Sequence, residues 1–124
     1  MSGKGKKILV VDDDDDIRFI IKMILYDEGY VVTELNSGHE VVSEVDRLHP
    51  DVILLDAMLG DMDGRDICKA LKSHAATTGI PVIIVSATHG SHTMHQKLCM
   101  ANDYIDKPFE ITELVDKVRL YSAA

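Results

Sequence analysis

Five short apolar runs alternate along the chain with segments of helical periodicity, and this alternation limits the possible folds more than any other feature. The runs lie at 8–11, 30–33, 52–55, 81–85 and, more weakly, 103–105. Three of them are continuous and mostly β-branched, as expected of strands covered on both faces: Ile8-Leu9-Val10-Val11, Val52-Ile53-Leu54-Leu55 and Val82-Ile83-Ile84-Val85. Strands that alternate with helices through short connections predict an α/β fold, a doubly wound parallel sheet with helices on both faces.

Between the runs, apolar residues recur every three or four positions, which is the spacing of one helix face. The first such stripe includes Ile17, Ile21 and Leu25. Ser37, with Glu40 three residues later, predicts a capping box at the start of the second helix. The segment from 89 to 100 has the weakest helical pattern. With it, five helices are predicted.

Length and charge limit the partners. The chain has 124 residues, the size of one domain, and 13 basic against 21 acidic side chains give a formal charge of −8. That charge disfavours contact with nucleic-acid phosphates, and no apolar run approaches the roughly 18 residues of a membrane span. Cys68 and Cys99 fit no metal or redox spacing, which favours a reducing compartment. We therefore predict a soluble cytoplasmic protein without nucleic-acid or membrane partners, with a flexible tail at 1–5 and one domain at 6–124.

Polar side chains stand where the predicted strands end. The first strand runs into Asp12-Asp13-Asp14-Asp15-Asp16, the third ends at Asp56, the fourth at Ser86 and the fifth at Asp106-Lys107-Pro108. Ligands of open parallel sheets bind at the carboxyl ends of the strands. If the first, third, fourth and fifth strands are neighbours, several carboxylates, a hydroxyl and an ammonium group share one small site.

Such a cluster of acids indicates a cation site. Two like charges at roughly 4 Å cost on the order of 1 to 4 kcal/mol near a protein surface, and Mg²⁺ prefers carboxylate and carbonyl oxygens while keeping room for a phosphoryl oxygen. Asp56 could then act as a nucleophile toward phosphorus, with Lys107 and Mg²⁺ neutralising the oxygens. Ser86 would donate a hydrogen bond to the bound group, and the small Ala57 and Ala87 would leave space.

These segments resemble the response-regulator receiver domain of two-component signalling, the CheY-like family, in a single-domain form. The resemblance covers essentially the whole chain and is specific because four separate loops match in order. It is carried by these segments: Ile8 to Asp14, Val52 to Met58, Met62-Asp63-Gly64, Pro81 to Ala87, and Asp103-Tyr104-Ile105-Asp106-Lys107-Pro108-Phe109. It implies the flavodoxin-like strand order 2-1-3-4-5 with five flanking helices.

The resemblance also implies residue roles. Asp56 would be the phosphoacceptor, and Mg²⁺ would be held by Asp12, Asp13, Asp56 and the backbone carbonyl of Met58. The remaining roles fall on five positions: phosphoryl contacts from Ser86, Ala87 and Lys107, a switch formed by Ser86 and Tyr104, and a cis peptide bond between Lys107 and Pro108.

The implied partners are a sensor histidine kinase or a histidine phosphotransfer protein as donor, and an unknown downstream protein. Phosphorylation would reshape the face made by the fourth helix, fifth strand and last helix for that partner. The chain would be no enzyme, beyond assisting its own phosphorylation and dephosphorylation.

Two departures from the family pattern concern loops. Gly60 stands where receivers commonly have proline, which predicts a looser loop after the acceptor. The stretch between Ser86 and Tyr104 is about one residue short, with Met100 in place of a frequent glycine, so the position of the fourth helix is open.

Other functions fit the sequence less well. A haloacid-dehalogenase-type phosphatase would use Asp12 and Asp14 as an Asp-x-Asp motif, but Asp16 replaces that motif's usual Thr or Val. A flavodoxin-like nucleotide binder would need a Gly- or Ser/Thr-rich phosphate cradle after the first strand. An interaction module that keeps the fold without phosphorylation is a third possibility. The histidines His89, His92 and His95 are interpreted as a solvent-facing cluster without a metal.

Overall fold

The computed structural model describes residues 5–87 and 99–123. The elements in these residues are β1 (Lys7–Val11), α1 (Asp15–Asp27), β2 (Val31–Leu35), α2 (Val41–Leu48), β3 (Val52–Asp56), α3 (Gly64–Lys72), β4 (Val82–Ser86), β5 (Asp103–Asp106) and α4 (Ile111–Ser122). The five strands are parallel and lie in the order β2-β1-β3-β4-β5. The predicted doubly wound sheet is therefore confirmed. Four helices are found in the described residues, against the predicted five.

The remaining predicted helix lies outside the described residues. It was expected between Ser86 and Tyr104, where 88–98 are not described, and His89, His92 and His95 fall in the same stretch. Most of the predicted tail, residues 1–4, is outside as well. Within the described parts of the chain, no helix is both long enough and apolar enough to cross a bilayer.

Burial on both faces explains the continuous apolar runs. Every residue of β3 and β4 is buried, and successive side chains point to opposite faces of a strand. Two separate cores result, one on each side of the sheet. The first contains Leu9, Val11, Ile53, Leu55, Val82 and Ile84 with residues of α2 and α3, and the second contains Ile8, Val10, Val52, Leu54, Ile83 and Val85 with residues of α1 and α4.

Capping aspartates fix the points where two helices begin beside the carboxyl edge of the sheet. The Asp14 carboxylate accepts from the N–H groups of Asp16 and Ile17 at the start of α1. Asp63 caps α3 by accepting from the Arg65 N–H. These side-chain caps satisfy helix donors that have no intrahelical partner.

The predicted capping box at Ser37 and Glu40 is wrong. Helix α2 begins at Val41, and Glu40 is its N-cap residue without a side-chain capping bond. The preceding turn is held instead by the Gly38 N–H, which donates to the carboxylate of Asp61 in another loop. A contact distant in sequence therefore holds the turn that precedes this helix.

Candidate functional site

Three carboxylates meet at the carboxyl edge of the sheet. Val11 pairs with Leu55 in the register of β1 and β3, so the residues that follow them, Asp12 and Asp56, lie side by side. Asp12 is 1% exposed and Asp56 is 5% exposed, whereas Asp13 is exposed. One carboxylate oxygen from each of the three lies within 4.8 Å of the others. The strand register thus brings together the acids that the sequence placed at two strand ends.

Lys107 bridges the two buried acids. Its Nζ lies 2.9 Å from Asp12 Oδ2 and 3.3 Å from Asp56 Oδ2. The Lys107 backbone N–H donates to the Ser86 carbonyl at 2.8 Å, which joins the ends of β4 and β5. The peptide bond between Lys107 and Pro108 is cis, the isomer that the family resemblance implied. Burial by itself would lower the pKa of Lys107, but the two carboxylates outweigh it and raise the pKa.

Backbone donors orient the same carboxylates. The Asp14 N–H donates to Asp12 Oδ1 at 2.9 Å, and the Met58 N–H donates to Asp56 Oδ1 at 3.0 Å. Each acid is therefore held by a backbone N–H on one oxygen and by Lys107 on the other. Charge-assisted bonds of this kind are stronger than neutral ones, so both side chains have defined directions.

Burial gives Asp56 an unusual pKa. Desolvation and the nearby Asp12 charge raise the pKa of Asp56 from 3.8 to about 6, against the opposing effects of the Met58 N–H and Lys107. The carboxylate is mostly ionised near neutral pH, as a nucleophile must be, but its charge is poorly solvated. A cation that approached this carboxylate would relieve that cost.

The donor set fits a hard divalent cation. Mg²⁺ is bound in proteins by one or a few carboxylates and completes its shell with waters or phosphate oxygens, and the three acids supply such oxygens at a partly exposed edge. Of the predicted ligands, Asp12, Asp13 and Asp56 are brought together. Met58 is exposed in the loop directly after the acid, with its N–H on Asp56.

The remaining predicted residues lie at the ends of β4 and β5. Ser86 is buried as the last residue of β4, and the exposed Ala87 follows it. Tyr104 lies within β5, buried, with its Oη 3.5 Å from Cys99 Sγ. Burial and this thiol raise the pKa of Tyr104. Its side chain belongs to the core on the α2 and α3 side of the sheet.

Two residues that shape the site were assigned no function in the sequence prediction. Arg18 donates from Nη1 to the Asp12 carbonyl at 2.8 Å and from Nε to Glu34 at 3.2 Å, which anchors the end of β1. The sequence signal that could have identified Arg18 is a single basic residue just after the acidic start of a predicted helix. A Cβ on Gly64 would lie only 1.9 Å from the Asp56 carbonyl oxygen, so only glycine lets α3 begin against the end of β3.

The geometry disfavours the phosphatase alternative. That function would require Asp14 to face the reacting group as the second acid of the Asp-x-Asp motif. Instead, Asp14 Oδ1 accepts from Asp16 N at 2.9 Å and Ile17 N at 3.1 Å. The carboxylate is engaged as a helix cap.

Comparisons with known proteins agree on one family. The model of the response regulator receiver domain matches residues 8–119. The DNA-binding response regulator MtrA of Mycolicibacterium smegmatis is 36% identical over 122 residues, which are 96% of this chain and 51% of that protein. The chain thus spans about half the length of the curated relatives it matches. Because MtrA is described as DNA-binding as a whole, the absence of a nucleic-acid partner stays a prediction here.

Solved structures share the fold closely. A putative response regulator from Chloroflexus aurantiacus superposes with a TM-score of 0.91 at 33% identity, covering 98% of this chain and all of that one (100%). The receiver domain of the sensor histidine kinase PA1611 from Pseudomonas aeruginosa gives 0.87 at 27% identity, covering 97% and 99%. That second structure has a magnesium ion coordinated in its active-site cleft.

Proposed function

The chain belongs to the response regulator receiver domain family, and from that membership we propose that it is a phosphorylation-dependent switch with Asp56 as the phosphoacceptor. Receiver domains of this family take phosphoryl groups from histidine kinases. The observation that carries the proposal is the meeting of the Asp12, Asp13 and Asp56 carboxylates with the Lys107 ammonium group at one edge of the sheet.

In the proposed reaction, a carboxylate oxygen of Asp56 attacks the phosphorus of a phosphohistidine on a sensor kinase or a histidine phosphotransfer protein. The N–P bond breaks as the O–P bond forms, and the imidazole, which carries a proton on its other ring nitrogen, leaves as a neutral histidine while Asp56 becomes an aspartyl phosphate. Asp56 must be ionised to attack, and a pKa of about 6 allows this at neutral pH. The Met58 N–H on Oδ1 limits rotation of the carboxylate.

Asp12, Asp13, Asp56 and the Met58 backbone carbonyl would hold Mg²⁺. When bound, the ion supplies positive charge against the phosphoryl oxygens. Lys107 Nζ, now between two carboxylates, would turn to a phosphoryl oxygen, and Ser86 and Ala87 would contact the same group. Outside this assisted gain and loss of a phosphoryl group, we propose no enzymatic activity.

Phosphorylation would change the surface near β5. The phosphoryl group carries a charge of about −1.5 to −2 in place of the single negative charge of the ionised carboxylate, and it draws Ser86 and Lys107 toward it. Tyr104 is proposed to exchange between its buried position and a second position as Ser86 moves. The resulting shift between two states would alter the face made by the segment after Ser86, by β5 and by α4, which an unknown downstream protein in the cytoplasm would read.

Helix α1 offers a surface for the donor protein. It begins at Asp15, two residues after Asp13. Its side chains Phe19, Met23 and Tyr26 are apolar and exposed. They recur at positions i, i+4 and i+7, so they share one helix face. Met23→Ala with Tyr26→Ala should slow phosphorylation by a phosphohistidine protein but not by acetyl phosphate. Equal slowing with both donors would contradict this role.

The central test is the intact mass after incubation with acetyl phosphate and Mg²⁺. We expect one added phosphoryl group on the wild type, no addition on Asp56→Asn, and no addition to the wild type in EDTA. Asp46→Asn, which removes an exposed carboxylate on α2, serves as a control and should still be labelled. Absence of labelling with acetyl phosphate and with a phosphohistidine protein would reject the proposal.

A further inference from the structure

Asp61 ties the loop after β3 to the turn before α2. Its two carboxylate oxygens both lie 3.1 Å from the Gly38 backbone nitrogen, and Oδ2 lies 3.3 Å from His39 Nε2. The Asp61 side chain is 23% exposed, on a residue that is exposed as a whole. The Gly38 N–H is the main reason that the pKa of Asp61 is lowered. A surface loop is thus joined to a turn 23 residues away in sequence by a charge-assisted hydrogen bond.

The turn fits closely against this loop. A Cβ on Gly38 would meet Ile67 Cδ1 at 2.7 Å and Met62 Sδ at 2.9 Å. The absence of a side chain therefore lets the backbone N–H approach Asp61. The bond therefore holds the Asp61 loop and the turn at Gly38 in a fixed position relative to each other.

The restrained loop forms one side of the acid cluster. It starts at Asp56, carries Met58, and closes through a bridge between Met58 and Asp63 at the start of α3. Its middle residue, Gly60, passes so close to the site that a Cβ there would lie 3.3 Å from Asp13 Oδ2. Glycine is the most flexible residue of a chain, so the Asp61 bond restrains the loop next to its most flexible point.

We propose that Asp61 is a positioning residue for Mg²⁺, which holds the Met58 backbone and the Gly60 segment at the distance from Asp13 and Asp56 that the ion requires. This inference rests on the proposed function, because it assigns Asp61 to the same metal site. Residues that orient metal ligands from outside the coordination shell change affinity by about 10- to 100-fold when they are removed. For this partly exposed loop we expect the lower end, about tenfold.

Mg²⁺ binding to the full chain, measured by isothermal titration calorimetry, tests the proposal with two variants of Asp61. Asp61→Asn removes the charge but keeps a carbonyl oxygen for the Gly38 N–H, whereas Asp61→Ala removes both. If Asp61 positions the loop, the Mg²⁺ dissociation constant of Asp61→Asn should lie within about twofold of the wild-type value, and Asp61→Ala should bind Mg²⁺ about tenfold more weakly. Equal weakening in both variants would mean that the charge alone acts, and an unchanged Ala variant would mean that the bond is irrelevant; either result overturns the proposal.

Two further variants serve as controls. Gly38→Ala disturbs the same bond from the donor side through the contact of its Cβ with Ile67, and it should weaken Mg²⁺ binding in the same direction. Asp66→Ala removes an exposed acid from the first turn of α3 and should not. Thermal unfolding in EDTA identifies any variant that is not folded. If the wild type itself binds no Mg²⁺, the proposed function fails together with this inference; if the wild type binds and Asp61→Ala binds equally, this inference alone fails.

Discussion

Replacing Asp56 with asparagine should stabilise the metal-free protein at neutral pH, although it removes the proposed phosphoacceptor. Asp56 is 5% exposed, and its pKa is raised from 3.8 to about 6, mainly by burial and further by Asp12. The ionised carboxylate is therefore less stable in the folded protein than in water. Asparagine has a similar shape and no charge, so it avoids that penalty.

The size of the effect follows from the pKa. A rise from 3.8 to about 6 corresponds to about 3 kcal/mol, at about 1.4 kcal/mol for each tenfold change in the ionisation equilibrium. This is an upper limit, because an asparagine that keeps its carbonyl oxygen on the Met58 N–H turns its amide NH₂ toward Lys107 Nζ, which lies 3.3 Å from the carboxylate oxygen in the wild type. We expect Asp56→Asn to raise the free energy of unfolding by about 1 to 2 kcal/mol.

The effect should depend on pH in a defined direction. Between about pH 4 and pH 6, folded wild-type protein keeps a proton on Asp56 that the unfolded chain has released. This carboxyl group therefore makes the wild type less stable as pH rises through that window, and its penalty is complete above about pH 6. Asp56→Asn has no such proton, so its advantage should be small near pH 4 and full at about pH 7.5.

Urea unfolding in EDTA, followed by circular dichroism at both pH values, measures this difference. Asp46→Asn makes the same change in net charge at an exposed position and should show little effect at either pH. Mg²⁺ should reduce the advantage of the Asp56 variant, because the ion stabilises the wild-type carboxylate more than the neutral asparagine amide. A variant less stable than the wild type at neutral pH, or a gain that is equal at both pH values, would refute the reasoning.

Three other substitutions have defined outcomes. Lys107→Ala leaves two buried carboxylates unpaired, so it should lower the unfolding free energy in EDTA by about 3 kcal/mol while tightening Mg²⁺ binding in calorimetry. Gly64→Ala places a Cβ 1.9 Å from the Asp56 carbonyl and should cost about 2 to 3 kcal/mol in urea unfolding; Gly79→Ala, with open space around it, should not. Met100 has a left-handed backbone, φ 61°, so Met100→Gly should raise the free energy of unfolding by about 1 kcal/mol. Met100→Ala keeps the strain and serves as the control. An unchanged free energy of unfolding in Met100→Gly would contradict strain at this position.

The sequence was most informative where neighbours along the chain decide the structure. The β-branched runs predicted β1, β3 and β4, and the acids directly after them predicted which side chains stand at the carboxyl edge. Asp14 and Asp63 cap helices for equally local reasons. The prediction for Ser37 and Glu40 was wrong because α2 begins only at Val41, after a turn that is bonded to Asp61, and local spacing does not indicate that distant contact.

The sequence alone thus determined the parallel α/β architecture and the concentration of acids at the carboxyl edge of the sheet. Both depend on consecutive residues, since these residues alone define the apolar runs and the side chains that follow them. Only the tertiary structure decided the distances: the register of β1 on β3 that brings Asp12 beside Asp56, the bridge from Lys107, and the Gly38 bond that holds the Asp61 loop. These contacts join residues 23 to 95 positions apart, and their geometry depends on how whole helices and strands pack.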